Sequence, residues 1–308
     1  MGSKPELTVA REGQTWRARY QRFAREHAGF LWVAPALFTL MAVIIYPMIY
    51  GIYLSFVDMN LGQKEAPFIG LDNFIFVLKD DVFLNSISKT LFYVAVSVSL
   101  TFVFGLGLAL LMQKIRWGRT IFHLILIAPM AIAPPVVGLT WRWIYNPLFG
   151  LLNPFLGLFG LPQQAPLGSP DSAMEAILVV DIWQWTSLVF LILYAGVSTL
   201  PREPYEAADL DGAGPWAMFW RITLPLLTPV ILVVLVLRTV DAFRTFDLIN
   251  VMTAGGPALS TEVMSLYIYR VGFKFFQMGR GAAAGQIMLL GAGVILGVYF
   301  RFLYKELD

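Results

Sequence analysis

Six stretches of this chain carry no Asp, Glu, Lys or Arg: residues 28–57, 90–113, 120–141, 182–201, 222–237 and 281–300. A helix needs ~20 mostly apolar residues to cross a bilayer, because it rises ~1.5 Å per residue through a hydrocarbon core ~30 Å thick. The fifth run is short by itself and is expected to continue past Arg238 to about Thr245. Lipid offers backbone N–H and C=O groups no partner, so an all-α integral membrane protein with six transmembrane helices is expected. The first run is too long for the apolar core of a signal peptide, and no small-residue cleavage site follows it. It is expected to be a retained first span.

Composition removes the other classes. Apolar residues make up 58% of the 308, and only 14% are charged; an average soluble domain has about 25%. Disordered chains are poor in aromatics, whereas this one has 24 Phe, 12 Tyr and 9 Trp. The absence of cysteine excludes disulfides, thiolate metal sites and cysteine nucleophiles. A net charge of +2 gives no basic face for nucleic acid.

Lys and Arg in the loops set the expected orientation. Thirteen lie in the tail 1–27, the loops 114–119 and 202–221 and the C-terminus; seven lie in 58–89, 142–175 and 246–280. Both termini are therefore expected in the cytoplasm. The segment 246–280 carries Arg270, Lys274 and Arg280 and is expected to hold an interfacial helix. In the tail, Trp16, Tyr20 and Phe23 recur at i, i+4, i+7 among arginines, which suits an amphipathic helix on the membrane surface or a simple basic anchor. The outer loop 142–175 mixes five X-Pro turn signals with Leu151, Leu152, Phe155, Leu156 and Phe159, so it is expected to pack on the bundle or meet a partner.

Catalytic signatures are missing. No G-x-x-x-x-G-K-[ST] phosphate loop is present. Gly105-x-Gly107, Gly281-x-x-x-Gly285 and Gly293-x-x-x-Gly297 read as helix-packing positions, and His123, with no ligand at i+4, as a structural histidine.

Residues 201–225 read PREPYEAADLDGAGPWAMFWRITLP. Pro204 is tolerated in a first helical turn, and the acids Glu203, Glu206, Asp209 and Asp211 fill the short helix that follows. Gly212 supplies the left-handed stop, and Pro215 begins a second helix that enters the fifth span at Leu224-Pro225. A compact helix–turn–helix is expected. Glu206-Ala207-Ala208, Gly212 and Ile222-x-Leu224-Pro225 together resemble the EAA loop of permease subunits of ABC importers. Trp141-Arg142-Trp143-Ile144-Tyr145-Asn146-Pro147 with Gly150 and Asn153, and Thr253-Ala254-Gly255-Gly256-Pro257 with Ser260-Thr261-Glu262, are similar to the maltose-type carbohydrate permeases, more to the MalF-type than to the MalG-type partner.

The resemblance implies a type I ABC importer permease fold in a cell (inner) membrane. It implies a basic segment at 1–27, a permease domain at 28–303 with its coupling loop at 201–225, and a cytoplasmic tail at 304–308. Its partners would be a second, MalG-like permease, two cytoplasmic ATPase subunits carrying ATP and Mg, an extracytoplasmic solute-binding protein, and a sugar substrate. The chain itself would hold no cofactor or metal and would not be an enzyme.

Ionisable residues inside spans are candidates for function. Asp181, Gln184, Trp185 and Leu188 share one face of the fourth span, and Arg238, Asp241, Ala242 and Thr245 one face of the fifth. The resemblance implies sugar contacts on these two helices; the alternative is that Arg238 and Asp241 only neutralise each other. Three other functions stay open: an importer for a different solute, a membrane enzyme built on His123 and Asp181, and a stand-alone secondary transporter.

Overall fold

The computed structural model describes residues 32–63 and 65–303. The amphipathic reading of the tail, His27 and the C-terminal residues 304–308 lie outside them. Two compact units are present, divided between Tyr53 and Leu54. The first contributes most of α1 (Trp32–Ser55), whose tyrosines 46, 50 and 53 stack at i, i+4, i+7 with ring centroids 6.2 Å apart.

The second unit is built from α2 (Asp72–Lys79), α3 (Asp81–Lys114), α4 (Arg119–Ala131), α5 (Pro134–Ile144), α6 (Leu152–Gly157) and α7 (Ala173–Ser198). It continues with α8 (Glu203–Leu210), α9 (Pro215–Phe243), α10 (Asp247–Met252), α11 (Met264–Tyr269) and α12 (Met278–Leu303). Among the described residues five helices, α1, α3, α7, α9 and α12, are long and apolar enough to cross a membrane, and the pair α4 and α5 makes a sixth if taken as one span.

That third span is not the straight helix that 120–141 led us to expect. α4 and α5 meet at a bend of 97°. Pro134 and Pro135 follow Ala133, whose backbone is extended (ψ 136°), because a residue before proline is pushed out of the α region. The break frees backbone carbonyls. Gln184 of α7 satisfies one of them, donating Nε2–H to the Ile132 carbonyl at 2.8 Å. The charge-free runs also understate the helices. α3 begins at Asp81 rather than near Thr90, where the Asp80 side chain caps it by accepting from Val82 N at 2.9 Å. α7 begins at Ala173 rather than Ile182, so Asp181 lies within it. The 246–280 segment holds α10, α11 and a π turn over Arg270–Lys274.

α3 and α7 form the central pair. Ser97 meets Asp181, Gly105 meets Val189, and Gln113 meets Ser198. Steps of eight and eight along α3 match steps of eight and nine along α7 in the same direction, so the two helices pack parallel in one register. Gly105 makes this possible: a Cβ there would lie 2.5 Å from Val189 Cγ1 and 3.0 Å from Phe190 N. Gly196 plays the same part against Val230 of α9 (2.9 Å). A Cβ at Gly107, Gly285, Gly293 or Gly297 would meet nothing within 4 Å in this chain, so the packing expected of them is absent among the described residues. Three apolar clusters follow one another along α3, around Phe83 with Val77 and Tyr267, Tyr93 with Ile177 and Ile249, and Met112 with Phe190 and Leu193.

Gly105→Leu should therefore lower the unfolding midpoint of the detergent-solubilised protein, with ~1–3 kcal/mol lost to overpacking, while Gly107→Leu should leave it nearly unchanged. Thermal unfolding followed by tryptophan fluorescence checks the pair.

Candidate functional site

The coupling loop. α8 starts at Glu203-Pro204 and closes with a Schellman motif: Ala213 N donates to the Ala208 carbonyl at 2.9 Å and Gly212 N to that of Asp209 at 3.1 Å, with Gly212 at φ +73°. The conformation needs glycine, because a side chain is strained at that φ. The next helix starts at Pro215 and runs into the membrane through a π turn at Phe219–Thr223. The Tyr205 hydroxyl bonds Thr223 Oγ1 at 2.9 Å, which ties α8 to the foot of α9. The expected helix–turn–helix is thus observed. Glu206, Ala207, Gly212 and Pro225 are exposed, Ala208, Ile222 and Leu224 half-buried, and Leu210 stands 91% exposed at the tip. Sequence reasoning passed over that leucine.

The buried charge cluster. About 22 Å further along α9, from Thr223 to Arg238 at 1.5 Å per residue, the Arg238 guanidinium is 2% exposed. Its Nη2 pairs with Asp181 Oδ2 of α7 and bonds Ser97 Oγ of α3; Ser97 Oγ in turn donates to Asp181. Its Nη1 pairs with Asp241 Oδ2 at 2.9 Å. The Trp185 ring lies 5.5 Å from the guanidinium carbon, a cation–π distance. One cation thus holds α3, α7 and α9 together. Asp181 is as buried as Arg238, whereas the Asp241 side chain is 46% exposed.

Of the residues read from sequence, the structure brings together Asp181, Trp185, Arg238 and Asp241. Thr245 lies beside them, with Oγ1 3.3 Å from the Tyr93 hydroxyl. Gln184 is turned to the Ile132 carbonyl, Ala242 is fully buried, and Leu188 is half-buried. Sequence reasoning missed Ser97. Its signal was the series Ser86, Thr90, Ser97 and Thr101, which keeps one face of α3 and is buried throughout. His123 is not near Asp181: it packs on the rings of Phe190 and Tyr194 at 5.6 and 4.6 Å, ~13 Å further along α7.

The two outer motifs are folded for local reasons. In the first, Asn146 Oδ1 accepts from Leu148 N and Phe149 N. A Cβ on Gly150 would fall within 2.7 Å of three carbonyl oxygens. Asn153 staples the loop, donating to the Pro147 and Gln164 carbonyls and accepting from Gln164 N at 2.8 Å. In the second, the 254–257 turn wraps a fully buried Glu262, which pairs with Arg270 at 2.8 Å. Burial pushes the Glu262 carboxyl above the usual range, against the pull of Arg270 and Lys274. Arg142 of α5 donates to the Val251 carbonyl at 3.1 Å and so ties the first motif to α10, just before the second. Of the apolar residues expected to pack from the first loop, Leu152 packs against the cluster around Tyr93 and Leu156 is half-buried, whereas Leu151, Phe155 and Phe159 are exposed.

Comparison with known proteins gives concordant matches. The family model "Binding-protein-dependent transport system inner membrane component" matches residues 82–308. The chain is 34% identical to the sulfoquinovosyl glycerol transport system permease protein SmoG of Agrobacterium fabrum, over 97% of this chain and 98% of that protein. It is 35% identical to the trehalose/maltose transport system permease protein MalF of Thermococcus litoralis, over 92% and 94%. It is 33% identical to the sn-glycerol-3-phosphate transport system permease protein UgpA of A. fabrum, over 90% and 94%. Among solved structures, a bacterial ABC transporter involved in import of the acidic polysaccharide alginate superposes with a TM-score of 0.81 at 25% identity, over 93% of this chain and 99% of that one.

Two substitutions test the geometry. Arg238→Gln leaves Asp181 buried without a cation and should cost about 3 kcal/mol or more. Gly255→Ala places a Cβ 2.1 Å from Glu262 Oε2 at a φ of +89° and should cost ~2 kcal/mol. Each should lower the unfolding midpoint, and Gly256→Ala, whose nearest neighbour is a carbonyl at 3.4 Å, should do so least.

Proposed function

Because the chain belongs to the family of binding-protein-dependent transport system inner membrane components, and is thus a multi-pass permease subunit, we propose that it forms half of the pathway of an ATP-driven importer for a sugar or related carbohydrate. The observation that carries the reading is the coupling loop. An eight-residue helix with exposed Glu206 and Ala207 and a bare Leu210 at its tip ends on a glycine-dependent turn and is fastened to α9. Such a helix suits a groove on a cytoplasmic ATPase: the small alanines permit close approach, and Glu206 offers a charge-assisted bond to a basic residue of the partner. The ATPase, two copies of it, would carry ATP and Mg. This orientation places both termini in the cytoplasm, as the loop charges also favour.

Substrate would pass between this chain and a second permease, delivered by an extracytoplasmic binding protein. The half-exposed Asp241 supports a pathway on that face, since a carboxylate in a span is stable only against water, a ligand or another polar chain. Trp185, Asp241 and Thr245 offer a ring and two hydrogen-bonding groups suited to a sugar. Relatives named for trehalose/maltose and for sulfoquinovosyl glycerol support the carbohydrate class. The relative named for glycerol-3-phosphate keeps a phosphorylated polyol as the second reading.

Affinity purification of the chain from its native membrane should recover a second permease and an ATPase. Glu206→Lys should cost the ATPase, since reversing a buried anchor of an interface removes ~2 kcal/mol or more. Retention of the ATPase by that variant would overturn the docking assignment. Asp241→Ala should lower uptake of the substrate sugar while leaving ATPase recovery unchanged.

A further inference from the structure

A cleft at one end of the bundle is used by neither the coupling helix tip nor the charge cluster. Its volume is about 620 Å³, and it lies where the ends of α3 and α7 meet the coupling loop. Leu110, Val197, Leu200 and Phe219 give it an apolar floor, and Gln113 bonds Ser198 Oγ across it at 2.7 Å. Lys114, the last residue of α3, and Arg202, just before α8, stand at its rim, both exposed. No carboxylate lines it, although the coupling loop carries Glu203, Glu206, Asp209 and Asp211. Trp216, 73% exposed, lines the cleft, and Trp117, 91% exposed, follows Lys114 by three residues in the sequence.

An apolar floor calls for an acyl chain, and cations at the rim for an anionic head group. Tryptophan and Lys or Arg at the ends of spans mark the depth where head groups lie. Basic pockets between helices at that depth take anionic lipid. We propose that this cleft holds one anionic phospholipid, its head group between Lys114 and Arg202 and its chains along Leu110, Val197 and Phe219. A lipid seated there touches α3, α7, α8 and the foot of α9 together, and so braces the coupling loop against the spans. The proposal goes beyond the transport reading and does not depend on which solute is carried.

The test uses the intact importer, purified with its partner subunits and reconstituted in phosphatidylcholine vesicles containing phosphatidylglycerol. Native mass spectrometry counts the phosphatidylglycerol retained. The unmodified importer is expected to retain phosphatidylglycerol in preference to phosphatidylcholine at equal mole fraction. Lys114→Gln with Arg202→Gln should weaken that retention roughly tenfold or more; Arg301→Gln, a cation outside the cleft, should not. The charge-keeping pair Lys114→Arg and Arg202→Lys should restore it. Equal retention by unmodified and neutralised importers overturns the proposal. So does loss of the ATPase subunit from the neutralised importer with its lipid count unchanged, which would make the cleft a protein-docking surface. Should the neutralised variant fail to assemble, the unmodified importer still decides: no preference for phosphatidylglycerol, or displacement of bound lipid by inorganic phosphate alone, refutes a seated phospholipid.

Discussion

The Arg238 guanidinium is the fixed point of this structure. It is 2% exposed and engages Asp181, Asp241, Ser97 and the Trp185 ring. Removing a cation from water is costly and is tolerated only when partners surround it. Here they come from three helices. The parallel register of α3 and α7 is the one that places Ser97 opposite Asp181, and Gly105 and Gln113 fall opposite Val189 and Ser198 in the same register. A shift of either helix by one turn would strand the charge. The cluster therefore specifies which packing is native more than it adds net stability.

The same demand for partners explains the irregular places. In hydrocarbon a freed backbone carbonyl has no water to accept from. Where Pro134 and Pro135 break the third span, Gln184 reaches across from α7 to the Ile132 carbonyl. At the foot of α9, beside the π turn, Tyr205 bonds Thr223, so that coupling loop and span share one frame. α9 thus joins an exposed helix tip at one end to the buried guanidinium near the other. Asp241, the exposed member of the cluster, lies on that same helix.

Local chemistry was legible in the sequence, and long-range pairing was not. The coupling loop followed from Pro204, Gly212 and Pro215, whose preferences act within a few residues. Asp181 and Arg238 stood out because charge is rare in spans. Their partnership did not, since 57 residues separate them and Asp241, three residues from Arg238, offered a nearer carboxylate. Ser97 carried a periodic but weak signal, a hydroxyl among other hydroxyls. The bend of the third span was written in Pro134-Pro135, yet the length of the charge-free run outweighed it. Helix starts were misplaced at Asp81 and Ala173 because a lack of charge marks the part of a helix in hydrocarbon, and these helices run on beyond it.

The Tyr205–Thr223 bond fastens the 201–225 loop to α9, so the two should move as one body. The chain has no cysteine, so it adds no background of its own to two introduced labels. Spin labels at Leu210→Cys and Arg244→Cys in the assembled importer report the distance between the loop tip and the far end of α9, by pulsed electron resonance with and without ATP. The distance should stay constant to within about 2 Å in both states, the scale of a helix shift rather than a hinge. A larger change on adding ATP would put a hinge at the Phe219–Thr223 π turn and contradict it.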